Sequence, residues 1–417
     1  MNQINVPEID NSAGIKLYST SFRGTGGMIK VNAQDFKVSE LLHDSVLSYY
    51  SKSKNDNHRF PLYLMQKTGV DSNHAIGEIK KLLGIRLRFL GIKDSKAISI
   101  QYCSTEQDLT IKEGKTHHTR LRLLGYTKES LRKSHLIGNE FQIVVRKMRN
   151  SNIMNFLDES ASIPNFYGLQ RFGSARLVTH LVGRQILKKD FAEAIRLLLC
   201  HTTNYDSKFS KEIRQKCEDS SNYRRVLKSI PRGMDIERKI IISSLNGKNH
   251  ISSLRSLPIN IRRLFIHAYQ AYVFNQCVST LIMNGENITS CLNKDLCFEL
   301  ENGLVLGKLK KFDLSMNPKK IVPATQLPGY ALKKREGRFE TAILRIMSDE
   351  GLYPRDFFVR EMQELSVQGG FRQLPLMVSD IKYDNSKEIR FKLPIGAYAT
   401  TFLRELMKPS NPIAAGF

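Results

Sequence analysis

The sequence predicts a mixed α+β fold in which a largely helical segment interrupts a sheet-forming segment. Three observations predict it. Strand-like runs fill the first third of the chain, helical periodicity dominates residues 176–241 and 261–282, and strand-like alternation returns at residues 388–393. A chain that leaves β structure and later returns to it is typical of one domain inserted into another, and we expect that organisation here.

The predicted strands are short runs rich in apolar residues, several of them with two-residue alternation. In the second of them, Phe36 and Val38 lie on one face. A polar loop that contains Asp94 separates the third strand from the fourth. The predicted strands cover residues 28–32, 35–42, 87–90, 97–103, 141–146, 303–307, 320–323 and 388–393.

Three helices are predicted from apolar periodicity and end signals. Residues 73–83 carry apolar side chains on one helical face, with Ser72 or Asn73 as the N-cap and Gly84 as the end. Residues 261–282 show the same periodicity over a longer stretch, and residues 399–407 predict a short closing helix.

The charge of the chain indicates a polyanionic partner. Among its 417 residues are 64 Lys and Arg against 40 Asp and Glu, a net charge of +24. When a protein neutralises phosphates, counterions are released, and the resulting affinity does not depend on the nucleic-acid sequence. We therefore favour a nucleic-acid partner as the reason for the charge; the alternative is that proteins of this organism are generally basic. Residues 114–149 hold nine of these cations against two acidic residues, which predicts either a basic sheet edge facing phosphates or a solvated loop.

Membrane, metal and cofactor signals are missing from the sequence. No apolar run reaches the roughly 18 residues that cross a bilayer, and residues 1–14 do not resemble a secretion signal, so we expect a cytoplasmic protein. The six cysteines form no CxxC pair, which argues against a structural zinc site. Residues 114–116 match only the end of a phosphate-binding loop, and no dinucleotide, zinc-hydrolase or serine-esterase motif occurs. We therefore predict neither metal nor cofactor.

Asp94 is a candidate catalytic carboxylate with two open interpretations. It lies in a turn between Lys93 and Lys96, and neighbouring cations keep a carboxylate ionised, as a nucleophile or electrostatic catalyst requires. A turn aspartate also commonly accepts a hydrogen bond from its own backbone, and the segment taken alone favours that simpler interpretation.

Two further segments combine turns with aromatic and amide side chains. In residues 164–173, Asn165 and Tyr167 are the candidates for base recognition, because an amide can read a base edge and a ring can stack on an extruded base. Phe166 and Phe172 in the same segment are interpreted as core residues. Tyr398 follows a glycine turn after the last predicted strand and offers a second stacking surface.

Two motifs resemble those that mark the TruD family of pseudouridine synthases. The first is GIKD at residues 91–94, followed by Ala97 and Gln101; the second is NFYGLQRFG at residues 165–173. Further segments resemble the family along the chain: residues 24–27, 35–40, 272–275, 323–329 and 391–400.

The resemblance implies a fold and a reaction. The fold is the pseudouridine-synthase fold, a mixed and mostly antiparallel sheet with helices, interrupted by a TruD-type α/β insertion domain. The implied division is a first catalytic part at residues 1–173, the insertion at 174–372 and a closing catalytic segment at 373–417. The implied reaction converts uridine to pseudouridine in RNA, at position 13 of tRNA, without a metal or an organic cofactor.

The resemblance also implies roles for individual residues. Asp94 matches the catalytic aspartate, which acts after base flipping on either the ribose or the uracil ring, and Lys30 matches a lysine that pairs with it. The positions that line the flipped base are Phe36, Asn165, Tyr167 and Tyr398. Phenylalanine is common in the family at the last two, so the Tyr167 hydroxyl either helps to remove the C5 proton or is merely attached to a stacking ring.

Two alternatives stay open at this point. One is an RNA-binding protein of the same fold without catalysis, and the other is a synthase that acts on RNAs other than tRNA. A nucleotide-dependent helicase or kinase lacks the phosphate-binding loop it needs. The sequence makes no prediction of the oligomeric state.

Overall fold

The structure, a computed structural model, describes residues 5–47, 50–55, 57–107, 110–150, 152–231, 233–301, 304–333, 337–384 and 387–417. Its strands are β1 Phe36–Leu42, β2 Phe60–Thr68, β3 Arg88–Phe89, β4 Ile98–Ser104, β5 Glu113–Lys115, β6 Thr119–Thr127, β7 Leu136–Val144, β8 Leu296–Glu301, β9 Leu304–Lys311, β10 Ile321–Leu327, β11 Gly370–Gln373, β12 Ser379–Tyr383 and β13 Glu388–Pro394. Its helices are α1 Glu8–Ser12, α2 Asp44–Leu47, α3 Ser72–Leu83, α4 Met154–Glu159, α5 Thr179–Leu187, α6 Phe191–Cys200, α7 Lys208–Lys216, α8 Tyr223–Ser229, α9 Asp235–Leu245, α10 His250–Arg255, α11 Ile259–Met283, α12 Arg338–Asp349 and α13 Ala399–Met407.

The larger sheet joins the two ends of the chain. Its strand order is β12-β13-β7-β1-β4-β2-β6-β5, with β3 paired to β4 at one side. The β1–β4 pair is parallel, and the other pairs described in this sheet are antiparallel. Because β13 pairs with β7, the C-terminal segment completes a sheet that the N-terminal segment begins. The predicted mixed and mostly antiparallel sheet is confirmed.

The interrupting segment contains a second sheet and most of the helices. This sheet has the order β11-β10-β8-β9 and is antiparallel throughout its described pairs. Helix α11 spans 25 residues and packs against α5 and α12. Its central residues are apolar on nearly every side and largely buried, as expected of a helix at the centre of a core.

The helical core also takes in residues that lie outside the predicted insertion. Ile9, Ala13 and Ile15 of the N-terminal segment are buried there, together with Phe166 and Phe172. Both phenylalanines are fully buried, which confirms their interpretation as core residues. The boundaries near residues 173 and 372 stay predictions.

A chain of aromatic rings fixes the closing helix on the larger sheet. The rings of Phe36 and Phe141 lie 6.1 Å apart, those of Phe141 and Phe391 lie 5.4 Å apart, and those of Phe391 and Phe402 lie 4.5 Å apart. Burying one such ring stabilises the fold by about 1.5–3 kcal/mol. This row of rings crosses β1, β7 and β13 and ends on α13, so it holds the start of that helix in a fixed position above the sheet.

Some predicted elements change in the structure. The strand at residues 28–32 is wrong: only Met28 forms a bridge, with Arg146, and Lys30 has a φ of 56° that no strand allows. The N-cap of α3 is Asp71 rather than Ser72 or Asn73, because its carboxylate accepts the N–H groups of Asn73 and His74. The predicted end at Gly84, with a φ of 73°, is confirmed.

Other boundaries shift less. The predicted strand at residues 141–146 lies in β7, which begins earlier, at Leu136. Residue 303, the first of another predicted strand, lies outside the described residues, and β9 begins at the next position. The closing helix begins and ends as predicted, at Ala399 and Met407. None of the helices in the described ranges is long and apolar enough to span a bilayer.

Candidate active site

Asp94 lies in the loop between β3 and β4 with its carboxylate held by a lysine. Lys30 Nζ lies 2.9 Å from Asp94 Oδ2, and the same ammonium lies 4.9 Å from the centre of the Phe36 ring. The Lys30 side chain is 7% exposed, whereas that of Asp94 is 36% exposed. The carboxylate therefore faces solvent with its counter-ion buried behind it, which leaves room for a substrate on the open side.

The pKa of Asp94 lies below its usual range. Burial raises this pKa, but the charge and hydrogen bond of Lys30 and the backbone N–H groups of Lys96 and Ser95 lower it by more. The N–H of Lys96 donates to Asp94 Oδ1 over 3.2 Å. Both interpretations of the sequence thus apply together: Asp94 is a turn residue that accepts backbone hydrogen bonds, and it is ionised at neutral pH.

A buried polar network fixes the backbone on which Asp94 stands. Glu40 has a fully buried carboxylate, which accepts from Lys93 Nζ over 2.8 Å and from Gln101 Nε2 over 3.2 Å. Gln101 Nε2 also donates to the carbonyl of Gly91 over 2.6 Å. The Ser72 hydroxyl donates to Gln101 Oε1 over 2.8 Å and accepts from the N–H of Lys93 over 3.0 Å. Lys93 therefore forms an ion pair with Glu40 and is not the cation that faces Asp94.

Lys67 supports the same loop from inside the sheet. It is fully buried on β2, and its ammonium donates to the carbonyls of Asp94 and Val70 over 2.8 Å each. Burial lowers the pKa of Lys67 to about 8, although the Asp94 charge opposes this. The sequence analysis did not find this residue, because a lysine in an alternating strand is normally a solvated one.

Tyr167 and Tyr398 lie together at the junction with the helical core. Their ring centres are 5.9 Å apart in an edge-to-face contact, and Tyr167 makes a second such contact with Phe274 at 5.6 Å. Asn275 on α11 fixes the Tyr167 backbone from both sides, since its Oδ1 accepts the Tyr167 N–H over 2.9 Å and its Nδ2 donates to the Tyr167 carbonyl over 3.0 Å. The available signal for this role was an amide side chain among the apolar residues of α11.

Arg372 joins the two segments that carry the predicted base-lining residues Asn165, Tyr167 and Tyr398. Its guanidinium donates to the Asn165 carbonyl over 3.0 and 2.8 Å, to Asn165 Oδ1 over 2.8 Å and to the Gly396 carbonyl over 3.0 Å. It also lies 3.9 Å from the centre of the Tyr167 ring. Burial lowers the pKa of Arg372, and no carboxylate among the described residues is paired with it.

The amide of Asn165 is largely occupied by the protein itself. The residue is 2% exposed, its Oδ1 accepts from Arg372, and its Nδ2 donates to the Gln373 carbonyl over 3.2 Å. One N–H of the amide is left for a ligand. A second lone pair of Oδ1 is left as well, so the expected reading of a base edge by the donor and acceptor of Asn165 stays a prediction.

The predicted site residues thus fall into two groups. Asp94, Lys30 and Phe36 are in direct contact. Asn165, Tyr167 and Tyr398 form the second group; Arg372 contacts the first two directly and the turn before the third. Within the described ranges no hydrogen bond or ring contact joins the two groups, but the ring chain from Phe36 to α13 connects them across one face of the sheet.

Metal-binding side chains are not clustered in this region. In the part of the chain that the structure describes, no three His, Cys, Asp or Glu side chains are placed to hold a metal ion. The six cysteines are free thiols, and all but Cys291 are buried.

The match to a family model places the chain, with its mixed sheet and lysine-paired carboxylate, in the class of the pseudouridine synthases. Within that class, the chain belongs to the tRNA pseudouridine synthase D (TruD) family, whose model matches residues 12–406.

Individual relatives match along their whole length. The chain is 29% identical to a "Probable tRNA pseudouridine synthase D" of Pyrobaculum islandicum, over 99% of this chain and 100% of the relative. It is 30% identical to a protein of the same name from Methanococcoides burtonii, over 97% and 98%. A crystal structure of a protein named tRNA pseudouridine synthase D from Methanosarcina mazei superposes with a TM-score of 0.77 at 27% identity, covering 98% of this chain and 100% of the other. The predicted family and fold are confirmed.

Proposed function

We propose that this protein isomerises uridine to pseudouridine in tRNA, at position 13, with Asp94 as the catalytic carboxylate. The observation that carries the proposal is the geometry of the Asp94 site. The Asp94 carboxylate is ionised, faces solvent and pairs with the buried ammonium of Lys30. Asp94 lies on a loop that a buried hydrogen-bond network holds in place. The relatives' names support tRNA as the substrate.

The reaction needs a carboxylate and a base that has left the helical stack. It breaks the N1–C1′ bond of uridine and forms a C5–C1′ bond, while C5 loses a proton and N1 gains one. Asp94 acts either on C1′ of the ribose or on the uracil ring, and both roles require the ionised form. Lys30 keeps the carboxylate ionised by pairing with its Oδ2.

Stacking on aromatic rings offsets the free energy that base flipping costs. Extruding a uridine loses a few kcal/mol of stacking, and an aromatic face returns roughly 1–3 kcal/mol. Phe36, Tyr167 and Tyr398 are the rings proposed to receive the base. Tyr398 is half-buried, and its hydroxyl accepts a hydrogen bond from Arg171 Nε over 3.2 Å. Tyr167 carries a hydroxyl next to Arg372, which suits either proton transfer or stacking.

The basic surface of the sheet supports an RNA substrate. Strands β5 and β6 form one edge of the larger sheet, and exposed Lys115, Arg120 and Arg122 lie along it. Of the two interpretations of residues 114–149, these positions favour the basic sheet edge.

The variant Asp94→Asn tests the proposal. It keeps the shape of the side chain but removes the charge and the nucleophile, so pseudouridine formation should fall by several orders of magnitude while tRNA affinity is retained. Asp158→Asn, a change on the exposed face of α4, is the matched control and should turn over normally. Activity of Asp94→Asn within tenfold of the unmodified protein would contradict the assignment.

Mapping of pseudouridine separates the alternatives. Carbodiimide-based sequencing of total RNA, with and without the protein, reports which uridines change. A signal at position 13 of tRNA supports the proposal. A signal confined to other RNAs would show that the enzyme acts on a substrate other than tRNA. RNA binding without any new pseudouridine favours the non-catalytic alternative.

A further inference from the structure

A basic cleft lies beside the Asp94 site and plays no part in the chemistry described above. It has a volume of about 420 Å³ and runs between residues 23–28 and the end of α13. Its cations are Arg23, Arg149 and Lys408, and none of the residues found to line it is acidic.

The floor of the cleft is a fixed stretch of backbone. Thr25 is fully buried, and its N–H donates to the carbonyl of Leu406 over 2.9 Å while its own carbonyl accepts the N–H of Arg149 over 2.8 Å. The N–H of Gly26 donates to the carbonyl of Met407 over 3.0 Å. Gly26 has a φ of +61°, and a Cβ there would lie 3.3 Å from Arg149 Nε. Glycine thus lets the Arg149 guanidinium lie across the loop.

The two arginines of the cleft have no acidic partner in the structure. Both are exposed, and among the described residues no carboxylate lies within ion-pair distance of Arg23 or Arg149. Their neighbours differ: Arg146 pairs with Asp35 over 2.6 Å, and Glu159 of the adjoining cleft accepts from the Ser21 hydroxyl over 2.8 Å. Two unpaired guanidiniums over one cleft are suited to a ligand with several anionic oxygens.

The cleft is close to the catalytic carboxylate along the chain. Only Met28 and Ile29 separate Gly27 from Lys30, so the Cα atoms of Gly27 and Lys30 lie at most about 11 Å apart. Lys30 in turn contacts Asp94. An RNA strand whose target nucleotide sits at Asp94 would therefore carry its neighbouring phosphates past the cleft.

We propose that this cleft binds the RNA phosphates next to the target uridine, through the guanidiniums of Arg23 and Arg149. The inference rests on the proposed function for the identity of the ligand. Guanidinium binds phosphate oxygens in a bidentate manner, and such contacts fix the register of the strand without reading its sequence. The subsite holds the RNA backbone while the base enters the pocket.

Binding measurements over a range of salt concentrations test the subsite. Arg23→Gln and Arg149→Gln should each raise the Kd for tRNA several-fold and reduce the slope of log Kd against log salt by about one, and the double variant by about two. Arg345→Gln, which removes an exposed arginine of α12, is the control for net charge and should leave the slope as it was.

The outcomes separate this inference from the proposed function. A double variant whose Kd and slope equal those of Arg345→Gln would overturn the subsite, whatever the activity. Arg149→Lys should keep the slope of log Kd against log salt, because it keeps the charge. A slope reduced as much in Arg149→Lys as in Arg149→Gln would also count against phosphate binding. If the unmodified protein binds tRNA with an arginine-dependent slope but forms no pseudouridine, the subsite stands and the proposed function fails.

Discussion

Lys30 governs the electrostatics of the candidate active site. Its backbone adopts a left-handed conformation, which costs an L-residue about 1–2 kcal/mol, and its ammonium is buried against Asp94 and Phe36. An ion pair whose cation is buried and whose anion is open to solvent presents the anion to a substrate. The strained backbone is held on its N-terminal side, where the N–H of Ile29 donates to the carbonyl of Ala415.

The pH dependence of activity should report this pair. Asp94 is active when ionised, and Lys30 holds its pKa below the usual range, so activity is present above that pKa and is lost only as the pH falls through it. In Lys30→Met the charge and hydrogen bond of the lysine are lost while burial still raises the pKa of Asp94, so the acid limb of the kcat/KM profile should move to higher pH. Lys37→Met, on the opposite face of β1, is the matched control. An unshifted acid limb in Lys30→Met would show that another group titrates there.

Substitutions that remove the hydroxyl or the whole ring distinguish the roles of Tyr167 and Tyr398. Tyr398→Ala should lower activity strongly with little loss of tRNA binding, because phosphate contacts elsewhere hold the RNA, whereas Tyr398→Phe should be nearly silent if the ring stacks. Tyr167→Phe distinguishes proton transfer, which predicts a large drop in kcat, from stacking, which predicts near-normal kcat. Single-turnover assays at saturating tRNA measure both. Normal turnover in both alanine variants would mean that other residues line the pocket.

At the scale of elements, the N-terminal segment is tied to α13 by buried charges. Arg404 Nε lies 2.6 Å from Asp10 Oδ2, and its Nη1 lies 3.1 Å from Glu405 Oε1. The same guanidinium donates to the carbonyl of Leu17 over 3.1 Å. Tyr398 is the N-cap residue of α13, so this network also sets the position of a candidate stacking ring.

Breaking the network should unfold the protein more easily. Arg404→Met leaves the buried carboxylates of Asp10 and Glu405 without their cation, and removing one partner of a buried pair typically costs about 3–5 kcal/mol. Urea unfolding followed by circular dichroism measures the change. Arg345→Met, on the exposed face of α12, serves as the control and should lie within about 0.5 kcal/mol of the unmodified protein. An equally small effect of Arg404→Met would contradict the stabilising role.

At the scale of the whole molecule, the net charge of +24 should govern RNA binding. Affinity for tRNA should fall steeply with salt, because each neutralised phosphate releases counterions; contact with 6–10 phosphates loses about 10³–10⁵ in affinity between 50 and 200 mM salt. Fluorescence anisotropy with the Asp94→Asn variant measures binding without turnover. A Kd that hardly changes over this range would show that the charge serves another purpose.

Local patterns determined much of this protein before any tertiary contact was considered. The closing helix at residues 399–407 and the end of α3 at Gly84 follow from apolar spacing and a left-handed glycine, which act within a few residues. The motifs at residues 91–94 and 165–173 identified the family, because strings of that length are specific.

Tertiary structure decided which charged and polar groups meet. Lys93 is adjacent to Asp94 in the chain but pairs with Glu40, while the ammonium that faces the carboxylate comes from Lys30, 64 residues away. Lys67 and Arg372 looked like ordinary surface cations in the sequence and are buried behind the site. An ion pair forms between side chains that the fold brings within a few ångströms, and this depends on how distant segments pack. The sequence by itself therefore determined the family, several of the elements and the candidate residues, whereas the partners of those residues were decided only by the packing of the two sheets and the helices.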